Sequence, residues 1–155
     1  MPTIVVLSTD SKLLPNLSWL DYVGLTVWIL GFVFETVADR QKAVWQNKHG
    51  KNRFTKFIDT GLWSWCRYPN YFGEISLWVG SYVMATCAFP DSQLAKYGFA
   101  ASPLFITYIL TRLSGIPLQE AQARKRFKGN AEYAAYVKST NLLFPWPFKR
   151  ASKAA

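Results

Sequence analysis

Three apolar stretches punctuate the chain: Leu20 to Ala38, Phe72 to Phe89 and Tyr97 to Leu113, each bounded by polar segments. Each approaches the ~20 residues an α-helix needs to cross the hydrocarbon core of a bilayer. Pro69 suits the first turn of the second helix, because a helix start leaves its first N–H groups unbonded and proline has none to lose. Pro90 and Asp91 close that helix, so the second and third stretches form a tight helical hairpin. Residues 2–8, PTIVVLS, are apolar but too short to span. They read as the tail of a helix whose beginning is absent. Met1 to Leu7 also lacks the basic start of a cleavable signal peptide.

After Leu113 the pattern changes. Gly115 and Pro117 break the third stretch, and PLQEAQARKRF resumes as a short amphipathic helix with Glu120 and Arg124 at pairing distance. KGN interrupts it; AEYAAYVKST then sets Tyr133, Tyr136 and Val137 on one face before NLLFPWPF ends in prolines. The expected fold is all-α: a multi-pass transmembrane helical protein with about three spanning helices plus an amphipathic C-terminal helix. It forms a single membrane domain over residues 1–155, with a tail from 114 to 155.

Composition agrees with that pattern. Half the residues are hydrophobic, yet mean hydropathy is near zero because apolar blocks alternate with basic ones. Block alternation favours a small membrane protein over a soluble core. Seven basic residues, Arg40 through Arg67, lie between the first and second stretches, and nine more lie from Arg112 to Lys153. Of the eighteen, only Lys12 and Lys96 fall on the opposite side of a three-span topology. The positive-inside rule therefore places the 40–70 loop and the tail in the cytoplasm. The membrane would be the endoplasmic reticulum in a eukaryote and the inner membrane in a bacterium. A net charge of +9 raises the question of nucleic acid, but no recognition motif accompanies it. Membrane lipid headgroups account for part of the charge and an anionic cofactor for the rest. Cys66 and Cys87 have no metal-type spacing and sit at different depths, so no disulfide is expected.

Acidic residues in and near the spans carry the functional signal. Glu35, Asp39 and Lys42 follow i, i+4, i+7 spacing and share a face at the basic end of the first helix. A self-paired, snorkelling helix end would explain Lys42; Glu35 lies one turn deeper, where a carboxylate is costly. WCRYPNYFGE, residues 65–74, is the second cluster. Asn70 and Glu74 share a face of the second helix, with Tyr71 beside them and Arg67 just before the start. Free N–H groups at that start, with Arg67, suit a phosphate. An interfacial aromatic belt of Trp65, Tyr68 and Tyr71, with Arg67 on lipid phosphate, is the competing reading. The tail is the third cluster. A membrane-surface helix suits Lys125 and Lys128, whereas two tyrosines one turn apart beside an arginine-rich turn suit closure over a nucleotide.

In order, GFVFETVADRQKAVWQ, TGLWSWCRYPNYFGEISLWVG and SGIPLQEAQARKRF…EYAAY…FPW resemble the C-terminal half of the steroid 5α-reductase-like membrane family, including its widespread uncharacterised branch. That family is distantly similar to the isoprenylcysteine carboxyl methyltransferases. The resemblance runs from Leu20 to Trp146. It implies a multi-helix membrane fold that holds NADPH in a cavity open to the cytoplasm. It further implies that Asp39 and Lys42 are the acidic and basic pair near the nucleotide. By the same likeness Arg67, Asn70, Tyr71 and Glu74 form the signature at its pocket. Arg124 or Arg126, with Tyr133 and Tyr136, would be the segment covering it. The chain departs from the family in Tyr68, where histidine is usual, and in Cys66, where serine is common. Relatives carry further N-terminal helices that supply much of the substrate pocket, so a partner subunit supplying such helices is a candidate associate.

Three functions follow from this reading. The preferred one is the cofactor-binding half of a membrane NADPH-dependent reductase acting on a C=C bond of a lipid or sterol-like substrate. The second is a membrane methyltransferase using S-adenosylmethionine. The third is a non-enzymatic membrane protein that keeps the fold. GLW…RYPNYFGE and SGIP favour the first over the second. Neither the substrate nor the residue that would protonate it is expressed in the sequence.

Overall fold

The computed structural model of the chain describes residues 16–88 and 92–147. The PTIVVLS segment, residues 89–91 with the expected helix stop at Pro90 and Asp91, and the tail from residue 148 lie outside the described residues. The described residues are helical and contain no β-strand. In chain order come α1 (Trp19–His49), two short 3-10 turns (Gly50–Phe54 and Gly61–Ser64), α2 (Pro69–Cys87) and α3 (Gln93–Tyr108). A π-type turn (Ile109–Leu113), α4 (Ile116–Arg126) and α5 (Ala131–Ser139) complete the order.

Local chemistry sets the helix ends. Asp21 in the first turn of α1 accepts from the Ser18 backbone N–H at 2.8 Å and its hydroxyl at 2.9 Å. Lys48 and His49 occupy the last turn, so both ends complement the helix dipole. Pro69 opens α2 as its first residue. Asn130 caps α5 by accepting from the Tyr133 N–H at 2.9 Å. Pro103 lies inside α3, and the chain widens to a π-type turn before breaking at Ser114 and Gly115. The tail is two helices, divided at the KGN interruption that its sequence predicts, Lys128–Asn130.

α1 exceeds the expected span by its last eleven residues. At 31 residues it is about 46 Å long, against the ~30 Å of a hydrocarbon core. Its final turns, with Lys42 and Trp45, therefore extend beyond any span. Two helical stretches, Trp19–Asn52 and Lys96–Arg126, are long and apolar enough to cross a membrane. Only 11% and 22% of their apolar windows are buried, unlike the core helices of a soluble domain. α2 has 19 residues, but Asn70, Glu74, Ser76 and Ser81 interrupt its apolar character.

α1 and α2 pack antiparallel along small residues. Gly24, Gly31 and Ala38 recur every seven residues on α1, and Gly73 and Gly80 do so on α2. A Cβ on Gly80 would stand 2.6 Å from both the Gly24 carbonyl oxygen and the Trp28 nitrogen. Only glycine lets the backbones come this close. Such close backbone contact supplies dispersion attraction that holds the two helices together. At the Ala38 end of the seam lies the polar end of the molecule, where Trp63 bonds to the Ala38 carbonyl and Cys66 is fully buried.

Candidate functional site

At that end the tail folds back on the WCRYP segment. Arg67 and Tyr68 donate their backbone N–H groups to the carbonyls of Asn141 and Leu142 at 2.9 and 3.2 Å, and Trp146 donates to the Trp65 carbonyl at 3.1 Å. These bonds fix α4 and α5 across the mouth of α2. The 3-10 turn is anchored from the other side: Trp63 Nε1 donates to the Ala38 carbonyl at 3.0 Å, and Gln41 Oε1 accepts from the Leu62 N–H at 2.9 Å.

These anchors enclose a cleft of about 390 Å³ between the end of α1, the 54–63 loop, α4 and α5. Its basic side chains are Lys42, Lys56, Arg67 and Arg126, and Glu120 is its carboxylate. Aromatic rings form the floor. Phe57 packs 5.2 Å from Tyr133, 5.2 Å from Tyr136 and 5.7 Å from Phe127, centroid to centroid. Lys42 Nζ stands 5.5 Å above the Trp63 ring, and the Arg126 guanidinium 5.6 Å from the Phe54 ring. Both contacts orient a cation toward the cleft without neutralising it.

Arg67 is held differently. Its Nη1 donates to both Glu120 oxygens at 2.8 Å, while its buried Nε has no partner. The Tyr68 hydroxyl donates to Glu120 Oε1, also at 2.8 Å. Glu120 thus pairs with Arg67, 53 residues away, and not with Arg124 one helical turn on as the local spacing suggested. A second cavity of about 630 Å³ opens beyond this pair; Arg124, Asn130 and Ala134 line it, and Arg67, Glu120, Phe127 and Tyr133 form walls of both.

Burial keeps the phenols protonated. It pushes the Tyr68 hydroxyl well above its ordinary range, with a further push from its hydrogen bond to Glu120. Tyr133 and Tyr136 are raised mainly by burial as well. Each is a donor at neutral pH, and the Tyr136 hydroxyl donates a hydrogen bond to the Trp63 carbonyl at 2.7 Å. The Cys66 thiol, buried beside them, is pushed up to about 12 and is an inert packing group.

The ten sequence-derived candidates divide into four groups. Lys42, Arg67, Arg126, Tyr133 and Tyr136 meet around the first cleft, and Arg124 lines the second cavity. Asp39 is exposed on α1 and faces neither. Asn70, Tyr71 and Glu74 lie along α2 behind the cleft wall. Tyr71 stacks on Tyr68 at 5.6 Å and its hydroxyl accepts from Gln119 Nε2 at 2.6 Å. Glu74 accepts from Trp78 Nε1 at 2.8 Å and also meets the Glu35 carboxyl across the helix seam. Asn70 Oδ1 is buried without a partner. The sequence reading did not single out Lys56, Phe57, Trp63 or Glu120 as site residues. Trp63 lies in the GLWSW stretch and Glu120 in SGIPLQE; Lys56 and Phe57 carry no local signal.

Fold and cleft together define a helical protein with two bilayer-length apolar stretches and a basic, aromatic-lined cavity at one end. The chain belongs to the family described as Protein of unknown function (DUF1295), whose model matches residues 1–140. No curated protein and no solved structure matches it.

Proposed function

We propose that the chain is the cofactor-binding part of a membrane NADPH-dependent reductase acting on a C=C bond of a lipid or sterol-like substrate. In this reading α1, α2 and α3 are three spans, and the 40–70 loop and the tail face the cytoplasm. The observation that carries it is the convergence of Lys42, Lys56, Arg67 and Arg126 with Phe57, Trp63, Tyr133 and Tyr136 around one cleft. Cations compensate phosphate charge, and aromatic faces accept the flat rings of a nucleotide. The unpartnered Arg67 Nε supplies a buried donor that an anion would satisfy.

NADPH, when bound, would supply the hydride. The chain's own residues bind and orient it. Lys42, Lys56 and Arg126 hold charge at the open side of the cleft, and the protonated Tyr133 and Tyr136 close it from α5. These basic side chains would hold the phosphates of such a cofactor, and the aromatic side chains Phe57, Trp63, Tyr133 and Tyr136 would hold its rings.

The S-adenosylmethionine alternative requires a cleft that accepts a sulfonium cation, which four basic side chains oppose. A non-enzymatic role would leave the same cleft without a nucleotide. Energy transfer separates these readings. Trp45 and Trp63 line the cleft, and tryptophan emission overlaps reduced nicotinamide absorption. NADPH added to the detergent-solubilised protein should quench tryptophan emission saturably and sensitise nicotinamide emission. Absence of saturable transfer would contradict the reading.

A further inference from the structure

Four side chains are common to the walls of the two cavities, and two of them form an ion pair. Arg67 and Glu120 line both the 390 Å³ cleft and the 630 Å³ cavity beyond it, with Phe127 and Tyr133 beside them. Glu120 covers Arg67 Nη1 with both its oxygens, so the carboxylate engages one guanidinium nitrogen and not the two-nitrogen fork. Pairing is incomplete, since Arg67 Nε is buried and unsatisfied. α4 carries Glu120 and is 11 residues long, with Leu118, Ala121 and Gln122 exposed.

We propose that the Arg67–Glu120 pair is a displaceable partition, and that one elongated polyphosphate ligand occupies both cavities by replacing Glu120 on Arg67. The second cavity thereby becomes a ligand subsite, with Arg124 and Asn130 available to its distal polar groups and the Tyr133 ring exposed to both sides. Glu120 becomes a selectivity element. It rejects weak or singly charged anions, because only a ligand that binds Arg67 more strongly than a carboxylate already in place can open the wall. The identity of the ligand as a dinucleotide rests on the NADPH reading above; the exchange at Arg67 does not.

The test uses the full chain in neutral detergent with two probes, inorganic pyrophosphate and NADPH, titrated calorimetrically. Glu120→Gln should raise pyrophosphate affinity roughly tenfold, the worth of one charge-assisted contact freed. Glu120→Asp keeps the charge but shortens the reach to Arg67, and should raise affinity severalfold. Unchanged or weaker pyrophosphate binding in both variants overturns the exchange. A gain in Glu120→Gln with none in Glu120→Asp also overturns it, since simple charge removal would then suffice. Should Glu120→Gln fail to fold, Glu120→Asp carries this arm. Ala134→Trp and Val137→Trp project bulk into the second cavity, and either should weaken NADPH roughly tenfold more than pyrophosphate. Equal effects on the two probes in both variants overturn the two-cavity ligand. If NADPH binds no variant while pyrophosphate still tightens in Glu120→Gln and Glu120→Asp, the nucleotide reading fails and the exchange at Arg67 stands.

Discussion

Gly31 and Gly73 face each other so closely that a Cβ on Gly31 would stand 2.8 Å from the Gly73 carbonyl oxygen, and one on Gly73 2.7 Å from that of Gly31. The contact sits midway along a seam that brings the end of α1 beside the start of α2. The cleft depends on that alignment, because Lys42 comes from one helix and Arg67 from the approach to the other.

Gly73→Ala should therefore lower stability by about 1–3 kcal/mol, the usual penalty for overpacking a tight contact. Gly98 is also helical but has nothing within 4 Å of an added Cβ, so Gly98→Ala should be neutral or gain up to about 1 kcal/mol. Thermal unfolding in detergent compares the two. Equal melting temperatures would mean the seam is not packed as described.

The Arg67–Glu120 pair has both side chains mostly covered, at 13% and 14% exposure. Removing one partner strands the other. Arg67→Ala should cost on the order of 1–3 kcal/mol, and adding Glu120→Gln should restore part of that loss. Lys125→Ala, on the exposed face of α4, should stay within about 0.5 kcal/mol. A double-mutant cycle reads the coupling directly, and strict additivity of Arg67→Ala and Glu120→Gln would show the pair to be incidental.

Alkaline stability follows from the buried thiol and phenols. Cys66, Tyr68, Tyr133 and Tyr136 all hold their protons more tightly when folded. The unfolded chain releases them first, so their stabilising effect is complete below the unfolded values and is lost as pH rises through the folded ones. Loss should begin above pH ~8.5, where an unfolded thiol ionises, and steepen above pH ~10 with the phenols. Cys66→Ala should remove the early part of the loss. A denaturation midpoint that is flat from pH 8 to 11 would contradict this assignment.

Much of this is legible in the sequence. The start of α2 at Pro69, the break at Gly115 and the division of the tail at Lys128–Asn130 follow from residues whose backbone chemistry is local. Proline lacks an N–H, glycine tolerates rare angles and asparagine caps a helix. Gly24, Gly31, Gly73 and Gly80 were equally visible, but their seven-residue spacing only acquires meaning once α1 is set against α2. The partner of Glu120 was not legible, because Arg124 at i+4 satisfies the local rule while Arg67 is brought near only by the returning tail. Lys56 and Phe57 lie in an irregular loop with no periodicity, so nothing marked them as cleft residues. Asn70, Tyr71 and Glu74 were correctly placed on one helix start, yet which neighbours they meet depended on the packing of α1 and α4.

Topology is tested by labelling. Lys51 follows α1 and Lys128 follows α4, and both are exposed. Cysteines introduced at these two positions, in a Cys87→Ser background, should react with an impermeant reagent from the same side of sealed vesicles. Reaction from opposite faces would exclude a common cytoplasmic end.

Calorimetric titration of the detergent-solubilised chain with NADPH, NADH and S-adenosylmethionine tests the central claim most directly. Four basic side chains around the cleft can compensate an added 2′-phosphate, so NADPH should bind most tightly, NADH more weakly, and S-adenosylmethionine weakly or not at all. Lys42→Ala with Arg126→Ala should narrow the gap between the first two. Tight S-adenosylmethionine binding, or silence towards all three ligands, would contradict the account.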